Sequence, residues 1–232
     1  MLTILYSACN AELNGINSRP GRPKWFNKMD CFFNLQKTIQ SCNYPVELIV
    51  LMDSDHKNIL SNKAEELNYK VIFNNFNSVI KSVFFKFDYA ENFSSSDYIY
   101  FLEDDYVHTS NALNIMLDGV KTFELISGYD HLDRYTRDDD ISFGMESIFF
   151  KNNTHWRTAE STTATFMCTK KMLKEILPYA KKHLANDRNF FRELYTKNIR
   201  LFTPIPGVST HVHENFLSPG LDWEKILNDF KN

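Results

Sequence analysis

The chain has 232 residues, 43% hydrophobic and 24% charged, a length that suits one substantial domain and a composition that excludes a disordered chain. Its net charge of −3, with a pI near 6.2, supplies no bulk basic field for nucleic acid. Only 7 glycines are present and no two lie two residues apart, so the G-x-G-x-x-G dinucleotide pattern and the G-x-x-x-x-G-K-[ST] phosphate loop are both absent.

In chain order, the compact apolar run Leu2–Tyr6 predicts a first strand. A polar loop with Arg19-Pro-Gly-Arg-Pro-Lys24 follows, then a helix from about Lys28 to Ser41. Val46–Met52 reads as a second strand ending in Asp53-Ser-Asp55, the stretch from Lys57 to Leu67 as a helix, and Tyr69–Phe73 as a third strand. A helix from Val79 to Asn92 leads to Asp97–Leu102, a fourth strand whose near-continuous apolar run suits the interior of a parallel sheet. Strand and helix alternate, which predicts an α/β fold with right-handed crossovers. Beyond it we expect a helix over Asn111–Phe123 capped by Thr109 or Ser110, irregular chain over Tyr129–Tyr135 and Thr154–Phe166, and helices near Lys170–His183 and Arg188–Thr196. With no repeat or linker, one domain is the simplest account.

Cys9, Cys31, Cys42 and Cys168 show no C-x-x-C spacing, which argues against a zinc ribbon or disulfide framework and for reduced thiols inside a cell. Asn10 and Glu12 end the first apolar run long before a membrane span, and no charged leader precedes it. The expected location is therefore the cytoplasm, that of a host if the chain is viral.

Ligands of open α/β sheets bind beyond the carboxyl ends of the strands. Two acidic groups fall there, Asp53 with Asp55 and the triplet Glu103-Asp104-Asp105. Three adjacent carboxylates repel one another unless exposed or neutralised. A divalent cation with oxygen ligands neutralises them and binds a diphosphate in place of a glycine loop. The competing reading is acid placed before a helix N-terminus, favoured by about 0.3–1 kcal/mol. His211 and His213 share a face if their segment is extended, which suits one metal, whereas surface histidines are the alternative. Asp187 opens an apparent helix and reads equally as its N-cap. Asp138-Asp139-Asp140 reads as a solvated loop, and Trp156 either as a flat face for a sugar or base or as a core anchor.

Taken in order, these features resemble nucleotide-sugar glycosyltransferases of the GT-A fold, particularly family 2-like enzymes. The strings YFLEDDYVH, GYDHLDRY, HWRTAESTTATF and TPIPGVSTHVHENFLSPGLDW also resemble a small glycosyltransferase type common among bacteriophages. The resemblance covers nearly the whole chain and implies a single GT-A-like domain, Rossmann-like, with a mostly parallel central sheet flanked by helices. Residues to about 108 are then the nucleotide-sugar-binding half and those from about 109 to 232 the acceptor-binding half. It assigns Asp53 to the nucleobase, uracil being the family's usual one, and Glu103-Asp104-Asp105 to the diphosphate through Mn²⁺ or Mg²⁺. The metal falls to Asp105 and His211, with Asp104 as a further candidate and Glu103 as an alternative contact to the ribose. It makes Asp187 the catalytic base, 82 residues beyond Asp105. Arg19, with Arg22 and Lys24, supplies charge near the phosphates or forms a solvated basic loop, and Trp156 falls near the donor. The family's acidic motif ordinarily opens with Asp, where this chain has Glu103, and its base is ordinarily preceded by Glu, where this chain has Asn186. The expected reaction is inverting transfer of a sugar from a nucleoside-diphosphate sugar to an acceptor hydroxyl, on a glycan or on a hydroxymethylated pyrimidine in DNA. The alternatives are a metal-dependent phosphoesterase and a non-catalytic nucleotide-sugar or glycan-binding protein.

Overall fold

The computed structural model describes residues 1–13, 19–76, 78–135, 147–183 and 186–230. The first apolar run forms β1 (Leu2–Cys9), which pairs in parallel with β2 (Val46–Asp53) on one side and β4 (Tyr98–Glu103) on the other, Leu2 lying level with both Val46 and Tyr98. β3 (Lys70–Asn74) extends the sheet beyond β2. The connections are α1 (Lys28–Gln40), α2 (Ile59–Glu66) and α3 (Val79–Asn92), each opened by a side-chain cap from Asn27, Asn58 or Ser78.

The second half contributes β5 (Tyr106–His108), α4 (Ala112–Phe123), β6 (Leu125–Ile126), a 3₁₀ turn over Leu132–Tyr135, β7 (Ile148–Lys151), β8 (Thr154–Ala159) and β9 (Phe166–Thr169). It ends with α5 (Lys170–Lys182), α6 (Asp187–Thr196), β10 (Leu201–Ile205), β11 (Ser209–His211) and α7 (Trp223–Asp229). Nine strands form one sheet in the order β3-β2-β1-β4-β9-β6-β10-β8-β7. Only β8 and β9 run against the rest, so the sheet is mostly parallel in direction. β5 and β11 form a separate antiparallel ribbon, with His211 opposite Tyr106.

Alternation along the buried strands divides the core in two. Leu2, Ile4 and Tyr6 pack under α1, α2 and α4, whereas Leu5, Ile99 and Phe101 pack under α3, α5 and α6. A third cluster, including Phe26, Cys31, Val107, Val212 and Trp223, seats α7 against the ribbon. No helix among the described residues is long and apolar enough to cross a membrane.

Three expectations change. Thr154–Ala159 is a strand, not irregular chain, and its pattern was hidden because Arg157 is buried there on Asp130, at 2.6 and 3.0 Å. α4 follows Asn111 without a side-chain cap, and Thr109 serves it through its carbonyl, which accepts the Ala112 N–H at 3.1 Å. The cap of α6 is Asn186, leaving Asp187 as its first residue. Asp138-Asp139-Asp140 lies outside the described residues.

Candidate active site

From β1 the chain moves outward to β2 and β3, then returns through α3 to β4 on the other side of β1. That reversal makes a crevice at the carboxyl ends of β1 and β4, the usual ligand position in such sheets. Glu103-Asp104-Asp105 lies there, across from Cys9.

Asp104 is turned inward. Its Oδ2 accepts the Cys9 N–H at 3.0 Å and the Lys28 ammonium at 2.6 Å. Lys28 opens α1 on the same face as Cys31, Phe32 and Leu35, and its side chain is 0% exposed. Burial pushes the Asp104 carboxyl up, against the pull of Lys28. Burial by itself would lower the Lys28 ammonium, but the charges and hydrogen bonds of Asp104 and Cys9 together outweigh it and hold the group above the usual lysine range.

Asp105 takes two partners on one oxygen. Its Oδ2 receives Arg22 Nη2 at 2.6 Å and faces His211 Nε2 at 3.1 Å, while its Oδ1 is buried with no hydrogen-bond partner. Burial alone would raise this carboxyl, but His211 and Arg22 together hold it below the usual carboxylate range. The β5–β11 ribbon brings His211 here, pinned by the Val212 N–H on the Asp105 carbonyl at 2.9 Å. Arg22 is shared with buried Glu12, whose Oε2 lies 3.3 Å from the same Nη2.

Glu103 faces the other way. Its backbone N–H donates to Thr165 Oγ1 at 3.3 Å, and burial, reinforced by Asp105 and opposed by Lys86, pushes its carboxyl up to about 7. Asp187 stands across the same short segment, lining one small pocket with Lys86 and Ala164, and burial raises its carboxyl while Lys86 and the Ala164 backbone N–H pull it down. Lys86 is 3% exposed, on the Phe87 and Ala90 side of α3, and donates to the Ala164 carbonyl at 3.5 Å. Tyr106 bonds the neighbouring Thr163 hydroxyl. Residues 163–165 thus tie the acidic motif to Asp187. Beside Asp187 opens a cleft of about 330 Å³, lined by His131, Arg134, Ser161, Thr162, Thr163 and Asn186 among others.

The remaining candidates separate. Asp53 ends β2 one strand away from this cluster, level with Cys9, and its Oδ1 accepts the Phe76 N–H at 2.9 Å. A larger cleft of about 790 Å³ lies on that side, lined by Asn10, Asn27, Asp30, His56 and Asn58 among others. His213 stacks near His211 at 6.2 Å, but its Nδ1 accepts the Asn215 N–H and its ring is covered by Gly21. The histidine facing Asp105 is His211. Arg19 sits outside, 53% exposed and 3.6 Å from Glu12, so the loop cation on the acidic motif is Arg22. Trp156 is corrected to a core residue: it is 1% exposed, packed on Gly119 and Phe123, and presents no face to either cleft.

Lys28, Lys86 and Glu12 carry charge into the site without a motif to announce them. For the two lysines the available signal was periodicity, because each falls on the apolar face of its helix. Among the described residues no three His, Cys, Asp or Glu side chains form a metal cage. Asp105 and His211 still fit a cation that keeps most of its shell for phosphate oxygens and water, since the His211 imidazole nitrogen lies 3.1 Å from Oδ2 of a carboxylate whose other oxygen, Oδ1, is buried without a partner.

No protein-family model and no curated protein matches this sequence. Among solved structures, S. aureus TarS 1–349 overlays on 87% of this chain and 57% of its own, with a TM-score of 0.50 and 12% identity. The same fragment in complex with UDP gives the same values. A further TarS structure reaches a TM-score of 0.51 at 15% identity, over 87% of this chain and 34% of its own. The fold is GT-A-like. The chain spans between about a third and three-fifths of those structures, and at such identities the GT-A-like architecture is what the likeness carries.

Proposed function

We propose that this chain is a glycosyltransferase that moves a sugar from a nucleoside-diphosphate sugar, UDP-linked in the first instance, to an acceptor hydroxyl with inversion. The observation that carries the reading is the bridge of residues 163–165, which sets Asp187 beside the acidic strand end at the β1–β4 crevice. The fold of TarS, a GT-A-like glycosyltransferase solved with UDP, supports the donor class.

In this reading Asp187 accepts the proton of the acceptor hydroxyl as that oxygen attacks the anomeric carbon opposite the departing diphosphate. Asp105 and His211 hold Mn²⁺ or Mg²⁺, which supplies Lewis-acid stabilisation of the leaving diphosphate when bound. Lys28 holds Asp104 in place, and Glu103 contacts the ribose. Asp53 and the cleft of Asn10 and Asn58 receive the nucleoside. Residues to about 108 serve the donor and those beyond it the acceptor. The hydroxyls and amide of Ser161, Thr162, Thr163 and Asn186 suit a polyol, so a glycan hydroxyl is the acceptor class; the net charge of −3 gives no general attraction to duplex DNA. We place the activity in the cytoplasm, consistent with four free cysteines, and a bacteriophage enzyme fits the motif resemblance.

Proton NMR of the product tests the mechanism. The expected product has the anomeric configuration opposite to the donor, and Asp187→Asn is expected to bind donor normally while transferring about 10²–10⁴ times more slowly. Retained configuration, or near-normal transfer by the variant, would remove the inverting role of Asp187. Transfer to hydroxymethylated DNA but to no glycan would replace the acceptor class.

A further inference from the structure

The acidic motif already has a neutralising charge of its own. Arg22 is 2% exposed and donates from Nη2 to Asp105 Oδ2 at 2.6 Å, from Nη1 to the Val212 carbonyl at 2.5 Å, and from Nε to Glu12 Oε1 at 3.4 Å. Its guanidinium lies 4.4 Å over the Phe26 ring. The turn that carries it is fastened to the histidine segment: Gly21, at φ +82°, packs so closely on His213 that a Cβ would lie 2.1 Å from Nε2, and the Glu214 N–H donates to the Gly21 carbonyl at 2.7 Å. Arg22 and His211 therefore reach the same carboxylate oxygen as one assembled unit, while Asp105 Oδ1 stays unpartnered.

We infer that Arg22 is the resident counter-ion of Asp105, and that it has to leave Oδ2 before a divalent cation can be held there, which makes cation and nucleoside-diphosphate binding cooperative. A guanidinium within hydrogen-bonding distance of a carboxylate opposes a second cation on that carboxylate through like-charge repulsion. Incoming diphosphate oxygens offer Arg22 a replacement anion, and Glu12 keeps a share of its charge throughout. Arg22 acts here as a positioning residue, through Asp105. The inference rests on the reading of this crevice as a metal-assisted diphosphate site.

Isothermal titration with Mn²⁺ alone, with UDP alone and with both separates these roles. For the unmodified protein, Mn²⁺ affinity is expected to rise at least tenfold when UDP is present. Arg22→Gln is expected to bind Mn²⁺ alone at least tenfold more tightly than the unmodified protein, to bind UDP more weakly, and to lose most of the gain between the two ligands. By linkage the gain must be the same whichever ligand is varied, so each titration checks the other. Circular dichroism confirms the fold of the variant. If Glu12, left without its partner, unfolds it, the double variant Glu12→Gln with Arg22→Gln removes both buried charges and carries the same expectation. Unchanged or weaker Mn²⁺ binding by the folded variant overturns the inference, as does equal Mn²⁺ affinity of the unmodified protein with and without UDP under conditions where UDP is seen to bind. Tighter Mn²⁺ binding by the variant, with no UDP binding by either protein, upholds the counter-ion and discards the glycosyltransferase reading.

Discussion

Asp187 carries the acid–base part of the account, and its surroundings make a specific pH dependence. Burial raises its carboxyl, with Lys86 and the Ala164 N–H pulling the other way. A base acts deprotonated, so transfer is expected to fall as pH drops through that raised value, at a higher pH than an exposed aspartate would give. Lys86→Met removes the cation that opposes burial there and should move this acid limb further up; a limb that stays in place in a pH–kcat series would show that Lys86 does not act on Asp187. Lys28 makes a prediction about stability instead. Its side chain is fully buried on Asp104, and removing one partner of a buried pair costs about 3–5 kcal/mol because the other charge is left uncompensated. Lys28→Met should therefore lower the unfolding free energy read from urea titration by an amount of that order, and a change within about 0.5 kcal/mol, the range of a surface substitution, would contradict the pairing.

At the scale of elements, the two-stranded ribbon decides which histidine matters. β5 follows the acidic triplet directly, and β11 pairs with it so that His211 falls opposite Tyr106 and against Asp105. His213 lies past the end of β11, with its Nδ1 engaged by the Asn215 N–H. His211→Ala should abolish the Mn²⁺-dependent part of UDP binding, and His213→Ala should leave most of it, both read by titration. The reverse pattern would mean that the ribbon is not the metal-bearing element. β1 to β4 and their three helices were legible in the sequence, because buried parallel strands are continuous apolar runs and the helices carry plain caps and periodicity. β8 was not, since its Arg157 is solvated in any sequence pattern and becomes a core residue only when Asp130 arrives from 27 positions away. The same limit hid Lys28 and Lys86. A charged side chain reads as surface until the fold supplies its partner, so the acidic motif was visible, with Arg22 among the three loop cations beside it, while the buried lysines were not. Trp156 shows the converse, an aromatic beside polar residues that the fold uses as filling between α4 and the sheet.

At the scale of the whole molecule, a nine-stranded sheet with helices on both faces places the carboxylates at a strand reversal and Asp187 across a three-residue bridge from them. The scarcity of glycine agrees with a crevice that uses charged side chains in place of a backbone cradle. The claim that this crevice holds a nucleotide sugar is tested most directly by thermal unfolding with a panel of UDP-sugars in Mn²⁺, comparing the unmodified protein with Asp105→Ala. Ligand at about a hundredfold over its Kd stabilises by about 2.7 kcal/mol, or roughly 5–10 °C for a chain of this size. The account predicts such a rise for at least one UDP-sugar and its loss in Asp105→Ala. No rise with any donor, or the same rise in the variant, would contradict it.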